Sequence, residues 1–260
     1  MHAKQILEWQ LEAGADEAIG ETPVNRLAPA PVQAPKPMEA PMPKPAFGTK
    51  LVAPVEAIAS TRAIADACTT REELEAAVRA FDGLSIKKTA MNTVFCDGNP
   101  QAKIMLIGEA PGAQEDQQGI PFCGPSGKLL DKMLSAIGLS RADTVYISNT
   151  VFWRPPGNRQ PSLEELALCQ PFVQKHIALI GPKLLIALGG VATNALLAKD
   201  LSISRMRMKL YDYSNPYLEA PVPTAVTFHP SYLMRSPGQK RLAWQDLQFI
   251  RQWLESNGVV

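Results

Sequence analysis

Four residues carry side chains that could together recognise a flat ring and act on it: Glu109, Phe122, Asn149 and His229. An aromatic ring can stack on a flat ligand, and a carboxamide can donate and accept hydrogen bonds along one edge of it. An imidazole can donate to an oxygen on which negative charge develops. Together with a carboxylate, these groups predict a site for a flat, hydrogen-bonding ring.

Several common kinds of active site are disfavoured because their motifs are missing. The glycine-containing segment at 108–112 has neither the Gly-Lys-Ser/Thr ending of a P-loop nor the G-x-G-x-x-G pattern of a dinucleotide site. The sequence has no G-x-S-x-G nucleophile elbow, and its His, Asp and Glu residues show no metal-ligand spacing. We therefore expect neither a nucleotide cofactor nor the chemistry of a Ser-His-Asp hydrolase.

Four short apolar runs must position these side chains. The runs span residues 104–107, 145–147, 184–188 and 222–228, and a segment of helical pattern follows each one. Short buried runs that alternate with helices are typical of a parallel sheet covered on both faces. The sequence thus predicts an α/β fold with four parallel strands.

One unusual residue comes just after the end of each apolar run: Glu109, Asn149, Gly189 and His229. Open α/β sheets bind their ligands beyond the carboxyl ends of the strands. Because these ends share one edge of a parallel sheet, we expect the four loops to converge on one site.

The distribution of proline divides the chain. Eight of the 23 prolines fall between Pro23 and Pro45, where they leave little bulky apolar surface for a core. We predict a short amphipathic helix at 1–20, which packs on its own protein or on a partner. A flexible Pro/Ala-rich linker at 21–60 and one folded domain at 61–260 are expected to follow.

Charge, cysteine content and hydropathy limit the function classes further. A net charge of +1 excludes binding of nucleic acid by blanket neutralisation of phosphates and leaves only local basic patches. The four cysteines form no C-x-x-C pair, so free thiols in a reducing compartment are expected. No stretch has the continuous apolar character of a signal peptide or a membrane span. We expect a cytoplasmic monomer that does not bind membranes.

Four segments resemble, in the same order along the chain, the motifs of the type-4 uracil-DNA glycosylases. They are GEAPGAQEDQQGIPFCGPSG at 108–127, YISN at 146–149 with RPP and NR at 154–159, the Gly189 loop, and HPSYLMR at 229–235. The resemblance covers nearly all of the predicted domain. It implies a three-layer α/β/α fold with a central four-stranded parallel sheet. It also implies hydrolysis of the N-glycosidic bond of a flipped-out deoxyuridine in DNA, which leaves an abasic site.

The resemblance implies roles for the residues at matching positions. Phe122 would stack on the flipped uracil, Asn149 would pair with its Watson–Crick edge, and His229 would donate to the uracil oxygen that gains negative charge. Glu109 is the candidate for positioning water or for stabilising the positive sugar. Further substrate contacts are expected at Gly108, Ala110 and Glu115.

Two parts of the expected site leave alternatives open. Glu115 either helps close the pocket against the methyl group of thymine, or it lies with Asp116 in a solvated loop. Tyr232, Leu233 and Met234 either form an exposed apolar wedge beside the positive charges of Arg235, Lys240 and Arg241, or Tyr232 and Leu233 begin the last helix and pack inward. The predicted DNA contacts are Asn158, Arg159, Ser231, Tyr232, Leu233 and Arg235.

The chain departs from the family at the place where an iron–sulfur cluster usually lies. Three of the four cysteine positions hold Phe81, Leu84 and Trp153, and only Cys169 is retained. The three replacing side chains supply no thiolate, which a cluster needs as a ligand. We predict that no metal or other cofactor is bound, and that these four side chains lie together as a hydrophobic plug.

Three functions are compatible with the sequence. The first is a monofunctional uracil-DNA glycosylase, because the four site residues are all present and no activated lysine of a lyase is indicated. The second is a module that binds uracil or damaged DNA without cleaving it and is recruited through the N-terminal arm. The third is an RNA- or nucleotide-directed hydrolase with the same pocket. The partner expected for the first function is DNA that contains uracil.

Overall fold

The computed structural model describes residues 55–199 and 201–259. The helix predicted at 1–20 and most of the linker predicted at 21–60 lie outside these residues. No helix in the described part of the chain is long and apolar enough to cross a membrane.

Ten α-helices and two short 3-10 turns lie in the described residues. The 3-10 turns are Pro156–Asn158 and Pro237–Gln239. The helices at Arg71–Ala80 and Leu163–Ile180 begin at capping boxes, in which a Thr or Ser side chain and a Glu side chain satisfy the first free backbone N–H groups. The helices are α1 (Val55–Ala67), α2 (Arg71–Ala80), α3 (Ser85–Thr89), α4 (Ala113–Gln118), α5 (Pro125–Ser135), α6 (Leu163–Ile180), α7 (Gly190–Leu197), α8 (Ile203–Met206), α9 (Pro230–Arg235) and α10 (Lys240–Ser256).

Helix α1 corrects the predicted linker boundary. Residues 55–60 were expected to be linker, but they form the first part of this helix. The helix packs against α6, and Ile58 and Ala65 contribute to the core between the helices and the sheet. Burial of one helical face therefore stabilises a segment that composition alone assigned to the linker.

Six strands form one sheet in the order β1-β3-β2-β4-β6-β5. The strands β2, β3, β4 and β6 are parallel, which confirms the predicted parallel sheet, whereas β1 and β5 pair antiparallel at its two edges. The prediction of four strands was therefore incomplete. The strands are β1 (Asp97–Gly98), β2 (Ile104–Gly108), β3 (Val145–Asn149), β4 (Leu184–Leu188), β5 (Leu210–Tyr213) and β6 (Val222–Thr227).

Helices cover both faces of the sheet, which confirms the three-layer arrangement. Along β2, Met105 and Ile107 belong to a core shared with α1, α2 and α6. Their neighbours Ile104 and Leu106 belong to a second core shared with α5 and α10. Successive strand residues point to opposite faces, and helices cover both of these faces. Every residue of β2 is therefore buried.

The carboxyl ends of the parallel strands meet at one edge. Gly108 at the end of β2 lies opposite Asn149 at the end of β3. On the other side of β2, the backbone N–H of Gly189 donates to the carbonyl of Thr227 at the end of β6, over 2.9 Å. The loops that follow these strands therefore start side by side.

Candidate active site

A cavity of about 660 Å³ lies at the carboxyl edge of the parallel strands. Its walls come from all four loops that follow these strands, as the sequence predicted. Helix α8 and the segment around Pro155 complete the rim. The predicted residues that line the cavity are Glu109, Ala110, Glu115, Phe122, Asn149, Asn158, Arg159, Gly189, His229, Ser231, Tyr232 and Arg235.

The amide of Asn149 is buried in this cavity. The residue ends β3 and is only 2% exposed. Within residues 55–199 and 201–259, its Oδ1 is the one buried side-chain N or O atom without a hydrogen-bond partner. A buried acceptor of this kind costs about 1–3 kcal/mol unless a donor reaches it. The amide is therefore poised to bind a ligand that brings a donor into the cavity.

Gly108 allows the amide and an aromatic ring to approach the same point. A Cβ atom on Gly108 would lie 2.4 Å from Asn149 Oδ1 and 2.5 Å from the ring of Phe122. Both distances are too short for any side chain. The absence of a side chain at this position brings the amide and the ring together.

Phe122 has an unusual backbone conformation. Its φ angle is +53°, in the left-handed region that side-chain-bearing residues seldom adopt. The ring is buried, with its centroid 5.4 Å from that of His229 and the two planes tilted by 32°. Backbone outliers of this kind cluster at functional sites, where surrounding contacts hold them in place.

The imidazole of His229 has a defined tautomer. Its Nδ1 accepts the backbone N–H of Ser231 over 3.1 Å and lies 2.8 Å from the Ser231 hydroxyl oxygen. Burial, with a smaller effect from Arg235, lowers the pKa of His229 to about 4. The ring is therefore neutral at pH 7, and its proton sits on Nε2, where it can be donated.

The Glu109 loop is fixed through its backbone. The carbonyl of Glu109 accepts from the Thr150 hydroxyl over 2.6 Å and from the Val151 N–H over 3.2 Å. Burial raises the pKa of the Glu109 carboxyl group, and the charge of Arg235 partly opposes this. The side chain is thus a half-buried carboxylate of increased basicity at the cavity wall.

Glu115 and Asp116 are both buried and hydrogen-bonded, so the alternative that placed them in a solvated loop is wrong. Glu115 accepts the backbone N–H of Gly124 over 2.9 Å and so ties α4 to the start of α5. Asp116 accepts from the N–H groups of Met91 and Asn92 over 2.8 and 3.1 Å. Glu115 also lines the cavity, so a contact with substrate stays a prediction.

Two predicted DNA contacts next to the cavity are held by neighbouring side chains. Arg159 forms a bidentate ion pair with Glu165 at 2.6 and 2.9 Å. Asn158 accepts from Arg154 over 2.7 Å. Arg235 is exposed at the cavity rim. Contacts between these residues and phosphate stay predictions.

The expectation that Leu233 lies in an exposed loop is wrong. Leu233 is 1% exposed and packs in the core shared with α5 and α10. It points inward because residues 230–235 form α9, which turns only some of its side chains outward. Met234 and Tyr232 are exposed, as one of the two alternatives had them, and the Tyr232 ring stacks on Phe228 with centroids 5.5 Å apart.

The four positions expected to form the plug lie in one hydrophobic core. The ring centroids of Phe81 and Trp153 are 6.3 Å apart. The indole N–H of Trp153 donates to the Thr93 hydroxyl over 3.0 Å. Leu84 and Cys169 are buried in the same core, and burial raises the pKa of the Cys169 thiol to about 12. In the described part of the chain, no three His, Cys, Asp or Glu side chains could hold a metal ion.

Sequence reasoning missed a buried ion pair behind the cavity. Arg207 donates through Nε to Asp246 Oδ1 over 2.9 Å, and Thr227 donates to Asp246 Oδ2 over 2.9 Å. The Arg207 guanidinium also lies 5.5 Å from the Phe228 ring centroid. The pair therefore connects α10 to the chain just before His229. Asp246 lies in an amphipathic helix, where a single acidic residue gives no signal of burial.

Comparison with known proteins identifies relatives of this chain. The sequence profile of the Uracil DNA glycosylase superfamily matches residues 95–248. A type-4 uracil-DNA glycosylase from Sulfurisphaera tokodaii is 38% identical over 166 residues, which are 62% of this chain and 74% of that protein. A type-4 uracil-DNA glycosylase from Thermotoga maritima is 35% identical over 196 residues, 73% of this chain and 99% of that protein. A type-5 enzyme from Thermus thermophilus is 35% identical over 142 residues, 49% of this chain and 63% of that protein.

Proposed function

The chain belongs to the uracil DNA glycosylase superfamily, and we propose from this that it hydrolyses the N-glycosidic bond of a flipped-out deoxyuridine in DNA. The products are uracil and an abasic site, as in base excision repair. The observation that carries the proposal is the buried Asn149 Oδ1, which has no hydrogen-bond partner among the described residues and lies, like the Phe122 ring, close to Gly108. Uracil supplies the missing donor.

Asn149 selects uracil over cytosine. Its Oδ1 accepts the N3–H of uracil, and its amide N–H donates to the neighbouring carbonyl oxygen. Cytosine carries an acceptor at N3 and an amino group beside it, so both contacts are lost. A buried polar group without a partner costs about 1–3 kcal/mol, which disfavours cytosine in the site.

His229 stabilises the departing base. As the N-glycosidic bond breaks, negative charge accumulates on the uracil oxygens. The neutral ring donates its Nε2–H to one of these oxygens, because Nδ1 is engaged by Ser231. Donors of this kind are typically worth about a hundredfold or more in rate.

Glu109 acts on the sugar side of the bond. Burial raises its pKa, which makes it a better base than an exposed glutamate. The carboxylate positions the attacking water and accepts its proton, or stabilises positive charge on the sugar. Water adds to the anomeric carbon, and uracil leaves with the bonding electrons. No lysine nucleophile takes part, so the enzyme is monofunctional.

The exposed surface beside the cavity binds the DNA around the flipped nucleotide. Tyr232 and Met234 are the exposed apolar residues of α9, and Arg235 adds a positive charge at the rim. Unstacking a base costs a few kcal/mol, and the cost is least in single strands and mismatches. An apolar wedge with a phosphate ligand beside it offsets this cost.

The enzyme works without an iron–sulfur cluster. The four positions at which the family resemblance implies cluster ligands contain one thiol and three side chains that cannot bind iron, and all four pack in one hydrophobic core. The residues present do not fit a cluster, so no step of the reaction uses one. Iron analysis of the purified protein should give far less than one iron atom per chain. Near-stoichiometric iron would contradict the proposal.

A labelled oligonucleotide with a single uracil tests the function. It is presented single-stranded or opposite A or G, incubated with the protein and treated with alkali, which cleaves abasic sites. We expect scission with the wild-type chain. The rate of uracil release should fall by about a hundredfold for His229→Ala and for Asn149→Ala. A protein that bound the uracil strand but produced no scission would be a binding module. Equal scission by all three proteins would contradict the assigned site.

A further inference from the structure

Arg141 lies behind the Phe122 loop and contacts its backbone directly. Its Nη1 donates to the carbonyl of Pro121 over 2.9 Å, and its Nη2 donates to the carbonyl of Phe122 over 2.8 Å. The residue follows α5 and is outside the cavity wall. It therefore has no contact with a bound base, yet it holds two consecutive peptide groups of the loop that carries the stacking ring.

Two carboxylates fix the remaining donors of the guanidinium. Nη1 also lies 2.8 Å from an oxygen of Asp97 in β1, and Nε donates to Asp131 in α5 over 2.9 Å. The planar guanidinium is thus engaged on every edge by groups from separate elements. A lysine has a single charged nitrogen and cannot reproduce this set of directions.

The backbone held by Arg141 is the one with the unusual conformation. Phe122 has a φ of +53°, which would relax if its carbonyl were free to turn. Gly127 packs closely against the same carbonyl, since a Cβ on Gly127 would lie 1.6 Å from the Phe122 oxygen. Arg141 and Gly127 together leave the loop little freedom, and the ring direction follows from the backbone.

We propose that Arg141 is a positioning residue, which holds the Phe122 ring in the orientation that stacks on the base. This inference rests on the proposed glycosylase function. This role differs from a general contribution to stability, because Arg141 would affect activity only through the position of the Phe122 ring. Removing Arg141 should therefore matter only while Phe122 has a ring to position.

A double-mutant cycle tests this on the single-uracil oligonucleotide. Arg141→Met should lower kcat/KM by about tenfold in the wild-type background, mainly through a higher KM, because stacking contributes to binding throughout the reaction. In a Phe122→Ala background, the same change should lower kcat/KM by less than about twofold. Equal losses in both backgrounds, or no loss in either, would overturn the inference.

Controls separate the possible failures. Arg251→Met removes an exposed arginine that pairs with Glu255 in α10, far from the Phe122 loop in sequence and contacts, and should leave kcat/KM unchanged. If Arg141→Met fails to fold, Arg141→Lys takes its place in the cycle. Lysine keeps a positive charge near Asp97 but cannot donate to the carbonyls of Pro121 and Phe122 from two separate nitrogens. Wild-type protein that releases no uracil would contradict the proposed function. An active wild type with an additive cycle would contradict only the role of Arg141.

Discussion

At the scale of single residues, the site combines two half-buried titratable groups under the influence of one exposed cation. Glu109 and His229 face the same cavity, and the charge of Arg235 lowers the pKa of both. For the carboxylate this effect opposes burial, whereas for the imidazole it adds to burial. Arg235 therefore favours the charged form of Glu109 and the neutral form of His229, which are the forms that the proposed mechanism uses.

Replacing Arg235 should shift the acidic limb of the pH profile. Without the cation, the pKa of Glu109 rises further and the lowered pKa of His229 moves upward. Both groups then gain protons at a higher pH, so kcat/KM of Arg235→Met should fall earlier as the pH decreases. Profiles of kcat/KM between pH 4 and 8 measure the shift. Arg235→Lys retains the charge and should keep the wild-type limb even if DNA binding weakens, and identical limbs for all three would exclude this coupling.

The sequence could indicate the residues of the cavity but not those that support them. Asn149 and His229 follow buried apolar runs, so their position at a strand end could be inferred. Arg141 and Asp246 lie in polar or amphipathic segments, where a charged residue usually faces solvent. Their partners are distant in sequence, and only the folded chain brings them together.

At the scale of elements, the strand ends determine how closely the functional groups approach. The end of β2 is a glycine, and this permits Asn149 and Phe122 to occupy adjacent space. The parallel strands could be predicted because each is a continuous buried run. The edge strands could not, because β1 has two residues and β5 mixes apolar and acidic residues.

Gly108→Ala should impair activity more than stability. The new methyl group would displace the Asn149 amide or the Phe122 ring, since both lie within 2.5 Å of its position. Displacements of this size typically cost at least about tenfold in kcat/KM. Gly238→Ala is the matched control, because a Cβ there meets nothing within 4 Å. A Gly108→Ala enzyme as active as the control would show that the cavity tolerates the extra methyl.

At the scale of the whole molecule, the cores on the two faces of the sheet have different compositions. The core that contains α1, α2 and α6 holds the aromatic residues Phe81, Phe95, Phe152, Trp153 and Phe172. Four of these rings, Phe81, Phe152, Trp153 and Phe172, form a chain of ring pairs with centroids 5.3–6.3 Å apart. Side-chain packing therefore supplies cohesion between the helices and the loop that follows β3.

Removing the central ring of this core should destabilise the protein strongly. Trp153 is 1% exposed, and truncation of such a side chain typically costs about 3–5 kcal/mol. Urea unfolding of Trp153→Ala measures this loss in the free energy of unfolding. Trp244→Ala provides a matched control, because Trp244 is 43% exposed and its loss should change stability by less than about 1 kcal/mol. Equal effects of both changes would argue against a stabilising plug.

The antiparallel strands at the two edges of the sheet have a consequence for self-association. A long, flat edge strand offers free backbone groups to a second chain, and a net charge of only +1 gives little electrostatic repulsion against such pairing. Here β1 presents only two residues, and β5 is four residues long with the exposed charge of Asp212. Short and charged edges hinder strand addition, so the sheet is protected from edge-to-edge aggregation.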